Sequence, residues 1–432
     1  MNSKLLTLFL IFLGLFTSAL FSQRGELLWL AFPFLMYVAI GLIKFPVLDT
    51  IHLQAQRLLC RTSSDGQPVV EVEVTIRNQG GTLPCLQVID SQPDGMKIIT
   101  GQTGMMTSVF EGGEESLKYS FLEKRGRYTW KSAHVRISDP LGLMITDLTL
   151  PAAAEISIQP EGDNFQRIPL RPNSTLHAPG SIPARQAGSG TDFWGVRLYH
   201  PGDSLRWLDW RMNARHPGQF FTREFEREEV ADIGLILDAR SETDQIIGED
   251  SLFEYSVRAA ASLAEGFISQ GNRVSLLVLG KTIIQVFPGY GKHQLNRILH
   301  SLSGVRCSSS GRVIDLHYLP LQMFSNRALL VVLSSLTRSD SSFFPRLRAA
   351  GYQAMLISPD PYDFIYPTLS KDPDSQRAFF LTRQERRIQI QSISRLNIRV
   401  IDWQVSQPLY PLIRSSLGHI RGHGENGQGY GA

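Results

Sequence analysis

The most chemically distinctive part of the sequence is a block of arginine, tryptophan and acidic residues that runs to Glu229. From Arg185 to Glu229 it holds seven arginines, seven acids and three of the chain's six tryptophans. This even balance argues against a phosphate-binding patch, which needs an excess of bases. Arginine forks paired with carboxylates, beside tryptophan rings, explain the composition better and predict a structural or docking motif. The residues expected to carry it are Phe193, Arg197, Tyr199, Gly202, Asp203, Arg206, Asp209, Trp210 and Arg215.

Two catalytic interpretations of the same block stay open. Ser204, His200 and Asp203 could form a nucleophilic triad, although no nucleophile-elbow pattern surrounds the serine. Asp203 and Asp209 could instead act as the paired carboxylates of a hydrolase. The short glycine-containing segment 188–190 does not make a phosphate loop, and the chain contains no GxxxxGK[ST] pattern.

Local patterns indicate how the block folds. Proline and glycine occupy the positions of a type II turn at 200–203. Asp203 is then expected to cap a short helix directly after the turn. Arg206 and Asp209 follow at helical spacing, and a strand is predicted around 220–225.

Beyond Glu229 strands and helices alternate, which is typical of a mostly parallel sheet with helices on both faces. Functional groups in such sheets lie beyond the carboxyl ends of the strands. Asp238, which ends the first strand, is therefore a candidate ligand or loop-capping residue. The predicted strands are 230–237, 273–279, 282–286, 328–333, 353–358 and 398–403. The predicted helices are 252–270, 293–302, 343–350, 375–396 and 408–417.

The segment 65–160 alternates apolar and polar residues with period two between turn signals. This pattern predicts six to eight short strands in a small β-sandwich. Its acids fall in turns or on exposed faces, so no chemistry is expected there. Residues 161–187 are predicted to be a linker, 188–229 the motif block, 230–420 the α/β domain and 421–432 a disordered glycine-rich tail.

Composition excludes several classes of protein. The chain has 432 residues, of which 43% are hydrophobic, and a net charge of +3, which excludes disorder throughout. The apolar runs stop after residue 43, which excludes a polytopic transporter. The three cysteines have neither a disulfide nor a zinc-site spacing and favour a reducing compartment.

Two uncharged runs, 5–21 and 27–43, predict a transmembrane helical hairpin within residues 1–50. At 1.5 Å per residue each run spans roughly 25 Å, against about 30 Å of hydrocarbon. The flanking bases place both termini in the cytoplasm. These bases are Lys4, Lys44, Arg57 and Arg61. The alternatives are a cleaved signal peptide for the first run and a buried core helix for the second.

The stretch GSGTDFWGVRLYHPGDSLRWLDWRMNAR resembles the characteristic segment of the family called domain of unknown function 58, almost residue for residue. RGRY at 125–128 and DPLG at 139–142 resemble the family's upstream β-part, and the predicted hairpin also fits. The resemblance implies an α/β, Rossmann-like domain of the von Willebrand factor A type at the C-terminal end. It also implies a protein partner, a MoxR-type AAA+ ATPase, and a multi-pass location in a bacterial inner membrane with a cytoplasmic soluble part.

Domains of the von Willebrand A type often bind Mg²⁺ through Asp-x-Ser-x-Ser with a distant threonine and aspartate, a set of hard oxygen ligands. Here Asp238 is present, but Arg240 and Glu242 stand where the serines belong. The strand that should end in the second aspartate is followed by Ser334. Either Asp238 keeps a Mg²⁺ site, or the Arg240 guanidinium takes the place of the cation and pairs with Asp238.

The sequence and the resemblance together favour a membrane-anchored, non-catalytic scaffold or adaptor. Its expected partner is the AAA+ ATPase, in complex assembly or envelope maturation. No cofactor, nucleic acid or small-molecule substrate is expected. The alternative is an envelope-associated hydrolase that uses the acids of 188–229, and a nucleic-acid binder is a third interpretation.

Overall fold

The computed structural model describes residues 3–23, 25–44, 51–64, 66–163, 165, 168, 182–307, 316, 319–370 and 372–418. The chain divides into two compact units, Met1–Ile158 and Gln159–Ala432. The predicted disordered tail 421–432 lies outside the described residues, as does much of the predicted linker 161–187.

The first unit begins with two helices, α1 (Ser3–Ser22) and α2 (Glu26–Lys44), which contain the two uncharged runs. Among the residues that the structure describes, no helix combines the length and the apolar character needed to cross a bilayer. The predicted transmembrane hairpin is therefore wrong, and so is the predicted multi-pass inner-membrane location.

The rest of the first unit is built from two antiparallel sheets around one apolar core. Their strand orders are β1-β2-β6-β4 and β5-β3-β7-β8, where the strands are β1 (Leu53–Ser64), β2 (Gln67–Asn78), β3 (Leu83–Ile89), β4 (Ile98–Gly101), β5 (Gly104–Val109), β6 (Glu114–Leu122), β7 (Gly126–Ser138) and β8 (Ile145–Ile158). Val72 and Val74 of β2 share the core with Val135 and Ile137 of β7. The period-two alternation thus puts one side of each sheet in the core.

Arg57 lies inside this core and does not flank a membrane segment. Its guanidinium donates to Asp90 and to the carbonyl oxygen of Ala152, and it lies 5.5 Å from the ring of Trp130. Asp90 also accepts a hydrogen bond from the hydroxyl of Tyr119 at 2.8 Å. Burial, followed by the charge of Asp90, raises the pKa of Tyr119. The expectation that every acid of this segment is exposed or in a turn is therefore wrong, because a buried charge is tolerated when it is paired and hydrogen-bonded.

The first strands of the second unit form a two-stranded antiparallel ribbon, β9 (Ile182–Leu198) and β10 (Phe221–Glu229). The connection between the strands contains a 3₁₀ turn at Leu205–Trp207 and the short helix α3 (Trp210–Arg215). The predicted linker 161–187 overlaps β9, because the strand already begins at Ile182. The ribbon therefore carries the whole arginine–tryptophan motif.

A six-stranded sheet follows in the order β15-β14-β11-β16-β17-β18, in which every neighbouring pair is parallel except β14 and β15. Its strands are β11 (Asp232–Asp238), β14 (Arg273–Leu279), β15 (Ile283–Gly289), β16 (Leu329–Leu333), β17 (Gln353–Pro359) and β18 (Arg399–Trp403), and the two short strands β12 (Ile246–Ile247) and β13 (Asp250–Ser251) pair with each other outside it. The helices of this region are α4 (Leu252–Ser269), α5 (Gly291–Ser303), α6 (Phe343–Ala349), α7 (Pro361–Ile365), α8 (Pro373–Ser394) and α9 (Leu409–Gly418).

Helices cover both faces of this sheet. Leu235 of β11 lies in the core formed with α4 and α5, whereas its neighbour Ile236 lies in the core formed with α6. Gly234 permits the second packing, because a Cβ at this position would come within 2.5 Å of the Phe324 ring. Burial on both faces explains why β11 is apolar along nearly its whole length.

The topology places a switch point beside β11, in the middle of the sheet. The chain runs from β11 to β14 and β15 on one side, then crosses to β16 on the other side of β11. Ligand sites of open α/β sheets lie at such a switch point, beyond the carboxyl ends of the strands. Asp238 ends β11 at this point, and Ser334 directly follows β16.

The fold class predicted from the sequence is wrong as stated, because it included a transmembrane hairpin. The described residues form a pair of helices, two antiparallel sheets around one core, a ribbon and a mostly parallel sheet. Strand order alone does not show a domain of the von Willebrand A type.

Candidate functional site

An arginine held between two acids fixes the ribbon where its connection begins. Nη1 and Nη2 of Arg197 donate to the two carboxylate oxygens of Asp203, each at 2.7 Å. Nε of Arg197 donates to Oε1 of Glu224 at 2.8 Å. The side chain therefore links β9 both to the turn that follows it and to β10. We call Arg197, Asp203 and Glu224 the ribbon cluster.

The predicted turn at 200–203 is present, and Asp203 closes it. Oδ2 of Asp203 accepts from the backbone N–H of His200 at 2.9 Å, and Gly202 has the positive φ of 111° that favours glycine. The hydrogen bonds from Arg197, then that from His200, lower the pKa of Asp203 to about 2. Asp203 does not cap the following helical turn as predicted, because its carboxylate is bound by Arg197. Ser204 is the N-cap residue there, without a side-chain cap bond.

Asp209 is the residue that caps a helix in this block. Its Oδ1 accepts from the backbone N–H groups of Arg211 and Met212 at 3.0 and 3.1 Å, at the start of α3. Its Oδ2 lies 3.5 Å from Nε of Arg223 on β10, so Asp209 pairs with Arg223 and not with Arg206. Arg206 is exposed. The structural role assigned to Asp209 thus rests on capping and strand attachment.

The remaining predicted motif residues divide between backbone and surface roles. The N–H of Tyr199 donates to the carbonyl oxygen of Phe220 at 2.7 Å, which extends the ribbon. Arg215 ends α3 and is exposed. Phe193 and Trp210 are 60% and 65% exposed. The sequence motif therefore contains a hydrogen-bonded frame and a set of outward side chains.

Among the side chains that the structure describes in the ribbon and its connection, seven large apolar ones are exposed. We call them the ribbon surface, and they are Phe193, Trp194, Leu198, Leu205, Trp207, Trp210 and Phe220. Single exposed apolar residues are ordinary, but a concentration of them marks binding surfaces. Aromatic residues and arginine are also the types enriched in protein–protein interfaces.

A second arginine between two acids lies at the sheet edge. Nε and Nη2 of Arg240 donate to Oδ1 and Oδ2 of Asp238 at 2.9 and 2.7 Å. Nη2 also donates to Oδ2 of Asp340 at 2.8 Å. The Arg240 side chain is 2% exposed and both carboxylates are fully buried. With Ser334, these residues form what we call the sheet-edge cluster.

Further bonds complete the sheet-edge cluster. The Ser334 hydroxyl donates to Oδ2 of Asp238 at 2.6 Å, and the N–H of Thr337 donates to Oδ2 of Asp340 at 2.7 Å. Burial lowers the pKa of Arg240, but the hydrogen bonds and charges of the two carboxylates outweigh it, and the net shift is upward. Arg240 therefore keeps its charge, and a cation that bound Asp238 would have to displace it. Within the described residues, no three His, Cys, Asp or Glu side chains are grouped to hold a metal.

Arg386 of α8 ties the neighbouring strand ends together. Its Nη1 donates to the carbonyl oxygen of Ser335 at 2.8 Å, and its Nη2 donates to the hydroxyl of Ser358 at 2.9 Å and to Asp402 at 2.8 Å. Its Nε lies 3.6 Å from Oδ1 of Asp360. The ends of β16, β17 and β18 are thereby joined through one buried guanidinium, and a groove of about 480 Å³ opens beside it.

Sequence reasoning brought Asp238 and Arg240 together but did not identify Asp340, Glu224 or Arg386 as site residues. Asp340 follows Thr337 by three residues in a capping box, a pattern that is visible in the sequence. Glu224 and Arg386 carry no such signal, because each lies in a segment with several similar charges. Their roles depend on which strands become neighbours.

The residues of the two catalytic interpretations of the motif block do not have the contacts that catalysis requires. Nδ1 of His200 lies 3.0 Å from both the Leu198 carbonyl oxygen and Nη1 of Arg197. Asp203 is bound by Arg197, and Asp209 caps α3. None of these contacts orients a side chain toward Ser204 as a nucleophile.

Comparison with solved structures gives only weak likenesses. A structural genomics target called SoR45 covers 26% of this chain and 89% of its own, with 11% identity and a TM-score of 0.18. A FixG-related protein from Vibrio parahaemolyticus covers 24% of this chain and 94% of its own, with 10% identity and a TM-score of 0.15. TM-scores this low assign no fold, and a von Willebrand A-type domain gains no support from them.

Sequence comparison is more informative. The chain is 26% identical over 315 residues to the uncharacterized protein YeaD of Bacillus subtilis strain 168, covering 70% of this chain and 75% of YeaD. Residues 195–388 match the family described as "Protein of unknown function DUF58". The match includes the ribbon cluster, the sheet-edge cluster and Arg386, and it confirms the predicted family resemblance. Over residues 195–388 this chain therefore resembles the DUF58 family, as the sequence motifs predicted.

Proposed function

We propose that this chain is a non-catalytic adaptor that binds a protein partner through the ribbon surface. The expected partner is an AAA+ ATPase of the MoxR type, in the assembly of a macromolecular complex. The observation that carries the proposal is the set of seven exposed large apolar side chains on one ribbon and its connection.

The ribbon surface is supported by a frame that limits its motion. Arg197 fixes the turn through Asp203 and the second strand through Glu224. Asp209 and the amide of Asn213, which accepts from the Phe221 N–H at 2.6 Å, attach α3 to β10. A preorganised surface loses less conformational entropy on binding, which favours recognition.

The charges of the block support an adaptor better than a hydrolase. A general acid or base works best with a pKa near the working pH. The pKa of Asp203 is held at about 2, far from neutrality. One carboxylate oxygen of Asp209 accepts hydrogen bonds from two backbone N–H groups of α3. Both acids therefore have structural work that accounts for their positions.

The proposal is tested by binding measurements with purified proteins. The full chain is immobilised, and a purified MoxR-type ATPase is titrated with and without Mg²⁺–ATP. Trp194→Ala and Trp210→Ala remove two of the exposed rings. Because aromatic anchors often dominate interface energies at about 2 kcal/mol or more, we expect each variant to weaken binding by tenfold or more.

A matched control comes from β15. Phe287 is 61% exposed but lies outside the ribbon, so Phe287→Ala should leave the affinity unchanged. Absence of saturable binding by the unaltered chain, or equal binding by the tryptophan variants, contradicts the proposal.

A further inference from the structure

The groove beside the sheet-edge cluster has the position and size of a ligand site. Its volume is about 480 Å³, and it lies between the loop after β16, the 3₁₀ helix Arg338–Ser342, the start of α7 and α8. Ligand pockets of proteins span roughly 300–1,000 Å³. In open α/β sheets they lie beyond the carboxyl ends of the strands, where this groove is. It shares no residue with the ribbon surface, so an inference about it stands apart from the proposed function.

One wall of the groove carries an ion pair that an incoming ligand can exchange. Nη2 of Arg338 donates to Oε2 of Glu385, and the two side chains are 83% and 57% exposed. Both residues line the groove. Ion pairs this exposed contribute little free energy, because water and salt compete for both charges. Arg338 is thus a guanidinium fork whose present partner is easily replaced.

The charges around the groove favour a carboxylate as the replacement. Arg386, the other arginine of the lining, already faces Asp360 at 3.6 Å and Asp402 at 2.8 Å. A carboxylate that binds Arg338 takes over the hydrogen bonds of Glu385 and adds a single negative charge to the groove, because the displaced Glu385 carboxylate turns into solvent. A phosphate dianion would add more charge close to these acids. The guanidinium fork matches the geometry of a carboxylate.

The remaining lining suits a peptide better than a small free acid. Ile388 lines the groove and is 65% exposed, which offers an apolar contact to a side chain next to the acid. Nε2 of Gln389 donates to the carbonyl oxygen of Thr337 at 2.7 Å, which turns the amide toward the groove wall. Leu336 holds a φ of +66°, a strained conformation for a non-glycine residue, and such strain concentrates at binding sites.

We propose that this groove binds an extended segment of a partner protein, through an acidic side chain that displaces Glu385 from Arg338 while an apolar neighbour packs on Ile388. The segment's backbone lies along α8 and the loop after β16. The matching family is described as one of unknown function, so the match assigns no ligand to this groove.

The test uses the purified full chain and a peptide array. One half carries random heptapeptides with a central glutamate, and the other half carries the same peptides with glutamine. The best glutamate peptides are then titrated in solution by fluorescence polarisation. We expect retention of glutamate peptides over their glutamine twins, with a loss of about tenfold or more in Arg338→Gln.

Glu385→Gln gives the sharper readout, because the proposal predicts a gain. Removing the internal competitor should tighten peptide binding by about two- to fivefold, the range set by an exposed ion pair. Arg387→Gln is the matched control: Arg387 is exposed on the same helix but does not line the groove, so its loss should change affinity by less than about twofold. Circular dichroism confirms that each variant is folded.

Several results overturn the proposal. These are an array with no retained peptide, equal retention of glutamine peptides, and unchanged or weaker binding in Glu385→Gln. An equal loss in Arg387→Gln would indicate a diffuse electrostatic surface. If free sodium glutamate competes at the concentration of the peptide, the groove is a site for small acids and the peptide assignment is wrong.

Discussion

The ribbon cluster and the sheet-edge cluster each contain one guanidinium bound by two carboxylates, but the two clusters differ in their exposure to water. In each, one arginine donates two hydrogen bonds to an aspartate and a third to another acid. Arg197 is 36% exposed, whereas Arg240 is 2% exposed. Water screens the first cluster and is excluded from the second, so equal geometry does not imply equal energy.

The difference separates two uses of an ion pair. A buried charge that loses its partner keeps a desolvation cost that water cannot relieve. An exposed pair can be replaced by water, so it mainly determines local geometry. We therefore expect the sheet-edge cluster to control the stability of its sheet and the ribbon cluster to control the shape of a binding surface.

The largest expected effect is that of Arg240→Met. It leaves the buried carboxylates of Asp238 and Asp340 without their counter-ion, and we expect a loss of about 3–5 kcal/mol in the free energy of unfolding. Urea denaturation followed by circular dichroism measures it. Arg197→Met is the paired variant and should cost clearly less. Equal losses for the two variants would remove the distinction between the clusters.

A smaller effect is expected for the helix cap in the ribbon. Asp209→Ala removes the acceptor for the Arg211 and Met212 amides and should destabilise α3 by about 1 kcal/mol. Hydrogen exchange of the α3 amides measures this locally. Arg206→Ala is the control and should stay within about 0.5 kcal/mol, because the side chain is exposed. Unchanged exchange in Asp209→Ala would show that the cap does not hold the helix.

The smallest expected effect is a change in the pKa of the Asp203 carboxyl group. The pKa of Asp203 is about 2, below the ordinary 3.8, because Arg197 and the His200 amide bind its ionised form. The pair therefore stabilises the folded turn above a pH of about 4, and this contribution is lost as the pH falls toward 2. Arg197→Gln should move the pKa of Asp203 up toward 3.8. Carboxyl carbon NMR shifts report it, and a titration midpoint that does not move would mean that Arg197 is not the cause.

Much of the α/β region could be predicted from the sequence. β14 occupies the predicted residues 273–279, and β16 starts one residue after the predicted position. These strands are buried on both faces, so an apolar run bounded by polar residues marks their ends clearly. β1 was missed because Arg57 interrupts its pattern with a charge that the core accepts through Asp90.

In the candidate site, the sequence predicted only the contact between residues that are close together along the chain. Asp238 and Arg240 are two residues apart, so their pairing follows from local geometry. Glu224 meets Arg197 because β9 and β10 pair, and Asp340 meets Arg240 because β16 lies beside β11. The predicted transmembrane hairpin is wrong for a different reason: within the part of the chain that the structure describes, no helix is both long and apolar enough to cross a bilayer.

The contact between Arg240 and Asp340 joins positions that are 100 residues apart. Closing so long a loop lowers the entropy of the chain, and the pairing of the neighbouring strands offsets this loss. We expect the guanidinium to reach its second acid only after the middle of the sheet has assembled, with both charges in water until then. We therefore expect burial of this arginine to coincide with completion of the sheet, and an incompletely assembled chain to leave this edge hydrated.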